Sequence, residues 1–274
     1  MILFPHAKVN LGLDIVARRP DGYHEVVTVM YPIEWADVLE LTPAAVTELV
    51  CTGRTVDCPP EKNLVMKAYR LLEQHVGSLP ATRIQLHKVI PDGAGLGGGS
   101  ADAAMTLRGL NDLWQLGLSD HELGQLASRL GADCPFFIYD CPMLCTGIGT
   151  TMEPIAVDLG HYKIAVVKPA VGVSTAEAYS GVTPATPASP LQERIALAVE
   201  DWQESVVNSF ERSVLPQHPE IADIKAKLMA MGAAYASMSG SGSAVFGLFD
   251  TDKMSAARLA EAFPLCSTHF PEQS

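Results

Sequence analysis

The chain has no basic block and no long apolar run. Its 274 residues carry 19 Lys+Arg against 31 Asp+Glu, a net charge of -12. Without clustered cations to meet a phosphate backbone, a nucleic-acid partner is not expected. No window reaches the ~20 apolar residues that a membrane helix needs, so no membrane partner is expected either. The first residues, Met1 to Lys8, lack the basic region, apolar stretch and cleavage site of a signal peptide. The six cysteines at 51, 58, 134, 141, 145 and 266 form no CxxC pair, and no histidine stands at zinc-ligand spacing from the cluster at 134–145. Buried thiols in a reducing cytoplasm are the expectation. With 48% hydrophobic and 18% charged residues, the composition suits a globular enzyme of one large or two modest domains.

The richest local signal is the loop Pro91, Asp92, Gly93, Ala94, Gly95, Leu96, Gly97, Gly98, Gly99, Ser100, Ala101, with five glycines in the seven positions 93–99. Glycine reaches backbone angles closed to other residues and lets a ligand come close to the main chain. A loop of this kind feeding a helix start leaves N–H groups pointing outward, an anion site suited to nucleotide phosphates. No Gly-Lys-Ser/Thr triplet closes it, so it is not a Walker A loop. Gly93, Gly95 and Gly98 spell a dinucleotide-like spacing, but the chain lacks the strand–helix alternation of a doubly wound sheet.

Lys8 to Val16 alternates, with Val9, Leu11, Leu13 and Ile15 on one face and Lys8, Asn10, Gly12 and Asp14 on the other. Polar alternation of that kind is commonly just a solvated face. After the turn signal Pro20-Asp21-Gly22, β character resumes from Val26 to Thr42. Asn63 is placed to cap a helix running to about His75. Arg83 to Ile90 reads as a strand entering the glycine loop, and Ser100 to Trp114 as the helix leaving it. Ser119 to Glu122 spells a capping box. A boundary near residue 155 divides an N-terminal nucleotide-binding domain, 1–155, from a C-terminal substrate-binding domain, 156–274. Helices are expected near Leu191–Val199, Glu220–Met231 and Asp252–Phe263, and strands at Lys163–Lys168 and Ala244–Phe249. The class is α+β.

A lysine near the N-terminus, a Pro-x-x-x-Gly-Leu-Gly type loop and the late turn Ser239 to Ser243 stand in this order. Together they resemble the GHMP kinases, and imply that superfamily's two-domain fold. The strings Ala7-Lys8-Val9-Asn10-Leu11, Asp21-Gly22-Tyr23-His24 and Gly131-Ala132-Asp133-Cys134-Pro135-Phe136-Phe137 are most similar to the branch acting on a cytidine-diphosphate-bearing methylerythritol in non-mevalonate isoprenoid synthesis. One departure is Gly147-Ile148-Gly149-Thr150, where many relatives carry a glutamate in the last place.

The resemblance implies ATP-dependent phosphorylation of the 2-hydroxyl of that alcohol, with Mg²⁺ carried alongside ATP. Asp133 would be the catalytic carboxylate and Lys8 its partner. Asn10, Tyr23 and His24 would touch the substrate, Tyr23 by stacking on cytosine and His24 by hydrogen bonds, with Thr175 and Tyr179 supplying the other side of the pocket. Asn63 and Lys88 would approach the adenine nucleotide, and Ser100 the metal. The chemistry is coherent in its own right: a carboxylate accepts the hydroxyl proton, a cation stabilises developing charge, and backbone donors hold the phosphates. The expected state is a monomer or weak homodimer. The rival readings are a mevalonate- or homoserine-type kinase of the same superfamily, and a non-catalytic nucleotide-binding regulator.

Overall fold

The computed structural model describes residues 1–55 and 58–271. In chain order the elements are β1 (Ile2–Leu3), β2 (His6–Arg18), β3 (His24–Ala36), β4 (Val38–Pro43), β5 (Glu48–Gly53), α1 (Leu64–Val76), β6 (Thr82–Lys88), α2 (Gly98–Leu113), α3 (Asp120–Ser128), α4 (Cys134–Tyr139), β7 (Met143–Thr146), β8 (Thr151–Pro154) and β9 (Tyr162–Lys168). They continue with α5 (Thr175–Ser180), α6 (Leu191–Ile195), α7 (Trp202–Ser205), α8 (Glu211–Val214), α9 (Pro219–Ala230), β10 (Tyr235–Met238), β11 (Val245–Asp250), α10 (Ala256–Ala262) and β12 (Ser267–His269). The class is α+β, as expected.

The chain divides into two compact units that interleave along the sequence. One comprises residues 1–8, 32–92 and 97–141, the other 9–31, 93–96 and 142–274. The expectation of a single boundary near 155 differs from this because β2 and β3 each begin in one unit and end in the other.

In the first unit a sheet of order β1-β4-β6-β5 carries α1 and α2. Asn63 caps α1 as expected, its side-chain oxygen accepting the Val65 N–H at 2.9 Å. Val65, Ala68 and Leu72 of α1, Leu107 and Leu110 of α2, and Leu39, Leu41, Ile84 and Leu86 of the strands are all buried. Removing such side chains from water is worth about 1.5–3 kcal/mol each. Gly109 lets α2 lie directly on the sheet, since a Cβ there would sit 2.4 Å from Leu3 Cδ1 and 2.6 Å from Leu41 Cδ1. The capping box of α3 forms between Ser119 and Glu122.

The second unit holds the sheet β10-β11-β9-β12 and residues 9–18, 24–31, β7 and β8 of the sheet β2-β3-β7-β8. Its core joins Leu13, Ile15 and Val26 to Ala165, Val167, Phe210, Ile221, Leu228, Val245 and Phe249.

The expected single run of β character from 26 to 42 is two strands broken at Asp37, a residue wholly enclosed. The last helix begins at Ala256, not near Asp252. Asp250 first ties down the Asp252 N–H, and Ser255 then caps the helix through the Arg258 N–H. The helix expected over 191–199 stops at Ile195 because Ala198 turns extended (φ -60°, ψ 145°). The polar face of β2 is not solvated: Lys8, Asn10 and Asp14 are each at most 3% exposed.

Candidate active site

Strand β6 delivers the chain to the glycine loop, and α2 leaves it. Gly95 and Gly97 both sit in the left-handed region, at φ 73° and 72°. At Gly95 a Cβ would be 2.0 Å from the Ser239 carbonyl oxygen, so only glycine lets the two backbones meet. The Ser239 hydroxyl donates to the Gly95 carbonyl at 2.8 Å, and the Ala244 N–H to the Ala94 carbonyl at 3.1 Å. The late small-residue turn therefore rests on the first half of the loop. Asn208, which nothing in the sequence singled out, holds that turn through the carbonyls of Met238 and Gly240 at 2.7 and 2.8 Å.

Gly97 occupies the N-cap of α2, and a Cβ there would lie 2.7 Å from Phe137 Cζ and 3.2 Å from Lys8 Cγ. The first intrahelical bond runs from the Ala101 N–H to the Gly97 carbonyl at 2.9 Å. The N–H groups of Gly98, Gly99 and Ser100 thus precede the helical ladder and point outward with the positive end of the helix dipole. Unpaired N–H groups at the positive end of a helix are the arrangement in which anions bind.

Lys88 is not open to a ligand through its ammonium. Its Nζ lies 2.5 Å from Asp37 Oδ2 and 2.7 Å from Asp102 Oδ2, and all three side chains are at most 3% exposed. Asp37 Oδ1 accepts the N–H groups of Val89 and Ile90 at 2.5 and 2.9 Å. The cluster ties the residues entering the loop to the first turns of α2. Burial raises the Asp102 pKa above the usual carboxylate range, against the opposing pull of Lys88. Asp37 and Asp102 were missed in the sequence because nothing in their spacing announces a shared lysine. The Asn63 side-chain oxygen is occupied as the cap of α1.

Lys8 and Asp133 do come together, with Nζ 3.4 Å from Oδ2. Asp133 stands at the N-cap of α4 but makes no side-chain capping bond. A capping role, the ordinary use of an aspartate in that place, is therefore not what this carboxylate does. Ser100 pairs its hydroxyl with the Cys134 thiol, whose pKa burial pushes up to about 11. Among the described residues no group of three or more His, Cys, Asp or Glu could hold a metal by itself.

The second unit assembles the other predicted residues. His24 and Tyr179 stack, with ring centroids 4.7 Å apart and 22° between planes, and Tyr179 meets Phe210 edge-on at 4.8 Å. The hydroxyls of Thr175 and Ser241 are 3.4 Å apart. Tyr23 is 62% exposed at the end of the turn, its N–H bound to Asp21 Oδ1 at 3.1 Å. Asn10 is buried and donates to the Thr28 hydroxyl at 3.0 Å, which in turn donates to the Gly12 carbonyl at 2.6 Å. The departing string Gly147 to Thr150 forms the turn between β7 and β8. A cavity of about 520 Å³ in this unit, lined by Asp14, Thr183, Ser189, Arg194 and Arg212 among others, contains none of the predicted residues. At its wall Arg194 and Asp14 form a buried ion pair that sequence reasoning also missed.

Comparison with known proteins gives the family. The family GHMP kinases N terminal domain matches residues 63–141, and GHMP kinases C terminal matches residues 191–265. The chain is 50% identical over 274 residues to 4-diphosphocytidyl-2-C-methyl-D-erythritol kinase of Parabacteroides distasonis, covering 100% of this chain and 95% of that relative. It is 48% identical over 256 residues to the kinase of the same name from Bacteroides thetaiotaomicron, covering 92% and 93%. A crystal structure of 4-(cytidine 5'-diphospho)-2C-methyl-D-erythritol kinase superposes with a TM-score of 0.85 at 34% identity, covering 98% of both chains. Among the described residues no helix is long and apolar enough to cross a membrane. The chain belongs to the GHMP kinases and, within them, to the 4-diphosphocytidyl-2-C-methyl-D-erythritol kinase family.

Proposed function

We propose that this chain transfers the γ-phosphoryl group of ATP to the 2-hydroxyl of 4-diphosphocytidyl-2-C-methyl-D-erythritol, with Asp133 as the base and Lys8 as its cationic partner. The observation that carries the chemistry is an aspartate at a helix N-cap that leaves its carboxylate uncapped and pairs it with a lysine at 3.4 Å. Phosphoryl transfer asks mainly for positioning and charge stabilisation. The N–H groups at the start of α2 bind the phosphates. Asp133 accepts the proton of the attacking hydroxyl, and Lys8 stabilises the charge that develops beside it.

Mg²⁺ bound with ATP would neutralise charge on the nucleotide phosphates. A site without a protein-only metal cage fits that ion, which usually retains waters and is held through one or two protein ligands and the phosphates. Ser100 would hold it through its hydroxyl. Lys88 acts on the nucleotide from behind, by fixing the loop through Asp37 and Asp102, and Asn63 by starting α1. His24, Tyr179 and Thr175 take the cytidine, with Tyr23 as an exposed ring able to close over the base and Asn10 binding the remainder of the substrate. The reaction runs in the cytoplasm, where the six cysteines would stay reduced.

The test is ADP release from Mg-ATP with and without the cytidylyl alcohol, in the natural protein and in Asp133→Asn. Turnover that depends on the alcohol and is lost in the variant is expected. Nucleotide binding without such turnover would overturn the substrate assignment and redirect the search to mevalonate- and homoserine-type acceptors.

A further inference from the structure

We propose that His218 is a positioning residue for the cytidine pocket: through its hydrogen bond with Glu177 it holds helix α5, and with it Thr175 and Tyr179, in place. This rests on the reading of those two residues as the cytidine side of the site. Helix α5 has six residues, far fewer than a helix needs to persist without outside support. Glu177 divides its two carboxylate oxygens between two tasks. Oε2 accepts the Ser174 N–H at 3.4 Å, closing a capping box in which the Ser174 hydroxyl accepts the Glu177 N–H at 3.1 Å. Oε1 lies 2.7 Å from His218 Nε2.

His218 is itself fixed, its N–H bound to the Val214 carbonyl at 3.0 Å and its carbonyl accepting the Ile221 N–H at 3.0 Å. Its side chain is 15% exposed and that of Glu177 38%, so the pair is partly shielded from water. The hydrogen bond from His218 holds the Glu177 carboxyl below its usual range, which agrees with a formed pair. Two further contacts join α5 to the same stretch of chain. The Ser213 hydroxyl donates to the Ala178 carbonyl at 3.3 Å, and the Tyr179 ring stands edge-on to Phe210. Loosening the His218 link lowers the fraction of molecules with α5 in the binding geometry. Apparent affinity falls by that fraction, without any change to the groups that touch ligand.

The variants are His218→Ala and Glu177→Gln, the latter keeping the capping bond because Gln also serves in a capping box. In the full-length protein without ligand, amide exchange over residues 176–181 is expected to quicken in each variant, and no further in the double variant. The KM for 4-diphosphocytidyl-2-C-methyl-D-erythritol should rise about five-fold, as for the loss of one partly exposed hydrogen bond, while kcat and the KM for ATP stay within about two-fold. Unchanged exchange at α5, additive effects in the double variant, or an equal rise in the KM for ATP would each overturn the proposal. Absence of turnover with this alcohol in the natural protein would instead overturn the substrate assignment, and α5 exchange would still decide the link between His218 and Glu177.

Discussion

Lys8 Nζ stands 3.4 Å from Asp133 Oδ2, with the lysine side chain 4% exposed and the aspartate 35%. The cation is delivered from within the protein and the carboxylate remains open to a ligand. Asp133→Asn keeps the shape but removes the proton acceptor. We expect kcat to fall about 10²- to 10⁴-fold, with a lowered thermal midpoint from loss of the ion pair with the enclosed Lys8. Steady-state ADP release and a melting curve measure both, and near-natural turnover would remove Asp133 from the mechanism.

Two glycines of the loop separate backbone strain from crowding. At Gly93 (φ 59°) a Cβ would meet nothing within 4 Å, whereas at Gly95 (φ 73°) it would meet the Ser239 carbonyl oxygen at 2.0 Å. Gly93→Ala should cost about 1–2 kcal/mol, the left-handed penalty alone. Gly95→Ala should cost more than that and weaken Mg-ATP binding, because one backbone must move away from the other. Urea unfolding and nucleotide titration compare the pair; equal effects at both positions would contradict the close approach.

Lys88→Met leaves two enclosed carboxylates facing each other without their shared cation. Breaking a buried pair in this way costs about 3–5 kcal/mol. Urea denaturation should register a loss of that order, and a change under about 1 kcal/mol would show that the lysine is not what neutralises Asp37 and Asp102.

Burial pushes the His269 pKa down to about 4, against an ordinary value near 6.5 in the unfolded chain. The unfolded state then binds more protons between those values, so the associated stability is intact above about pH 6.5 and is lost as pH falls towards 4. Allowing for solvent around a partly buried ring, the loss is about 1–2 kcal/mol. His269→Gln should remove that part of the acid sensitivity when urea midpoints at pH 7.5 and 5.0 are compared.

Tyr179→Ala removes the ring that stacks on His24 and meets Phe210. If it also receives cytosine, stacking of about 1–3 kcal/mol is lost, a rise in KM for the cytidylyl substrate of about 5- to 150-fold. Tyr179→Phe should retain most of the affinity. An unchanged KM in the alanine variant would place the base elsewhere.

Elements set by neighbours in sequence were legible before any fold was known. The Asn63 cap and the Ser119–Glu122 capping box are satisfied within a few residues, so local composition suffices to find them. Strand β5 pairs in parallel with β6, and β12 pairs with β9. Their hydrogen-bond partners lie far along the chain, and neither strand was anticipated.

The sequence by itself determined the α+β class, the glycine-rich entry to α2, the family and the identities of Lys8 and Asp133 as a candidate pair. Tertiary structure alone decided what each charge faces. It enclosed Lys88 between Asp37 and Asp102, left the Asp133 carboxylate uncapped, and buried the polar face of β2 that alternation alone would leave in water. It also placed Asn10, Tyr23 and His24 in the same unit as Thr175 and Tyr179, some 150 positions later in the chain. The reason is physical: backbone propensity and capping act over a few residues, whereas desolvation and charge pairing depend on what the fold brings within a few ångströms, at any separation in sequence.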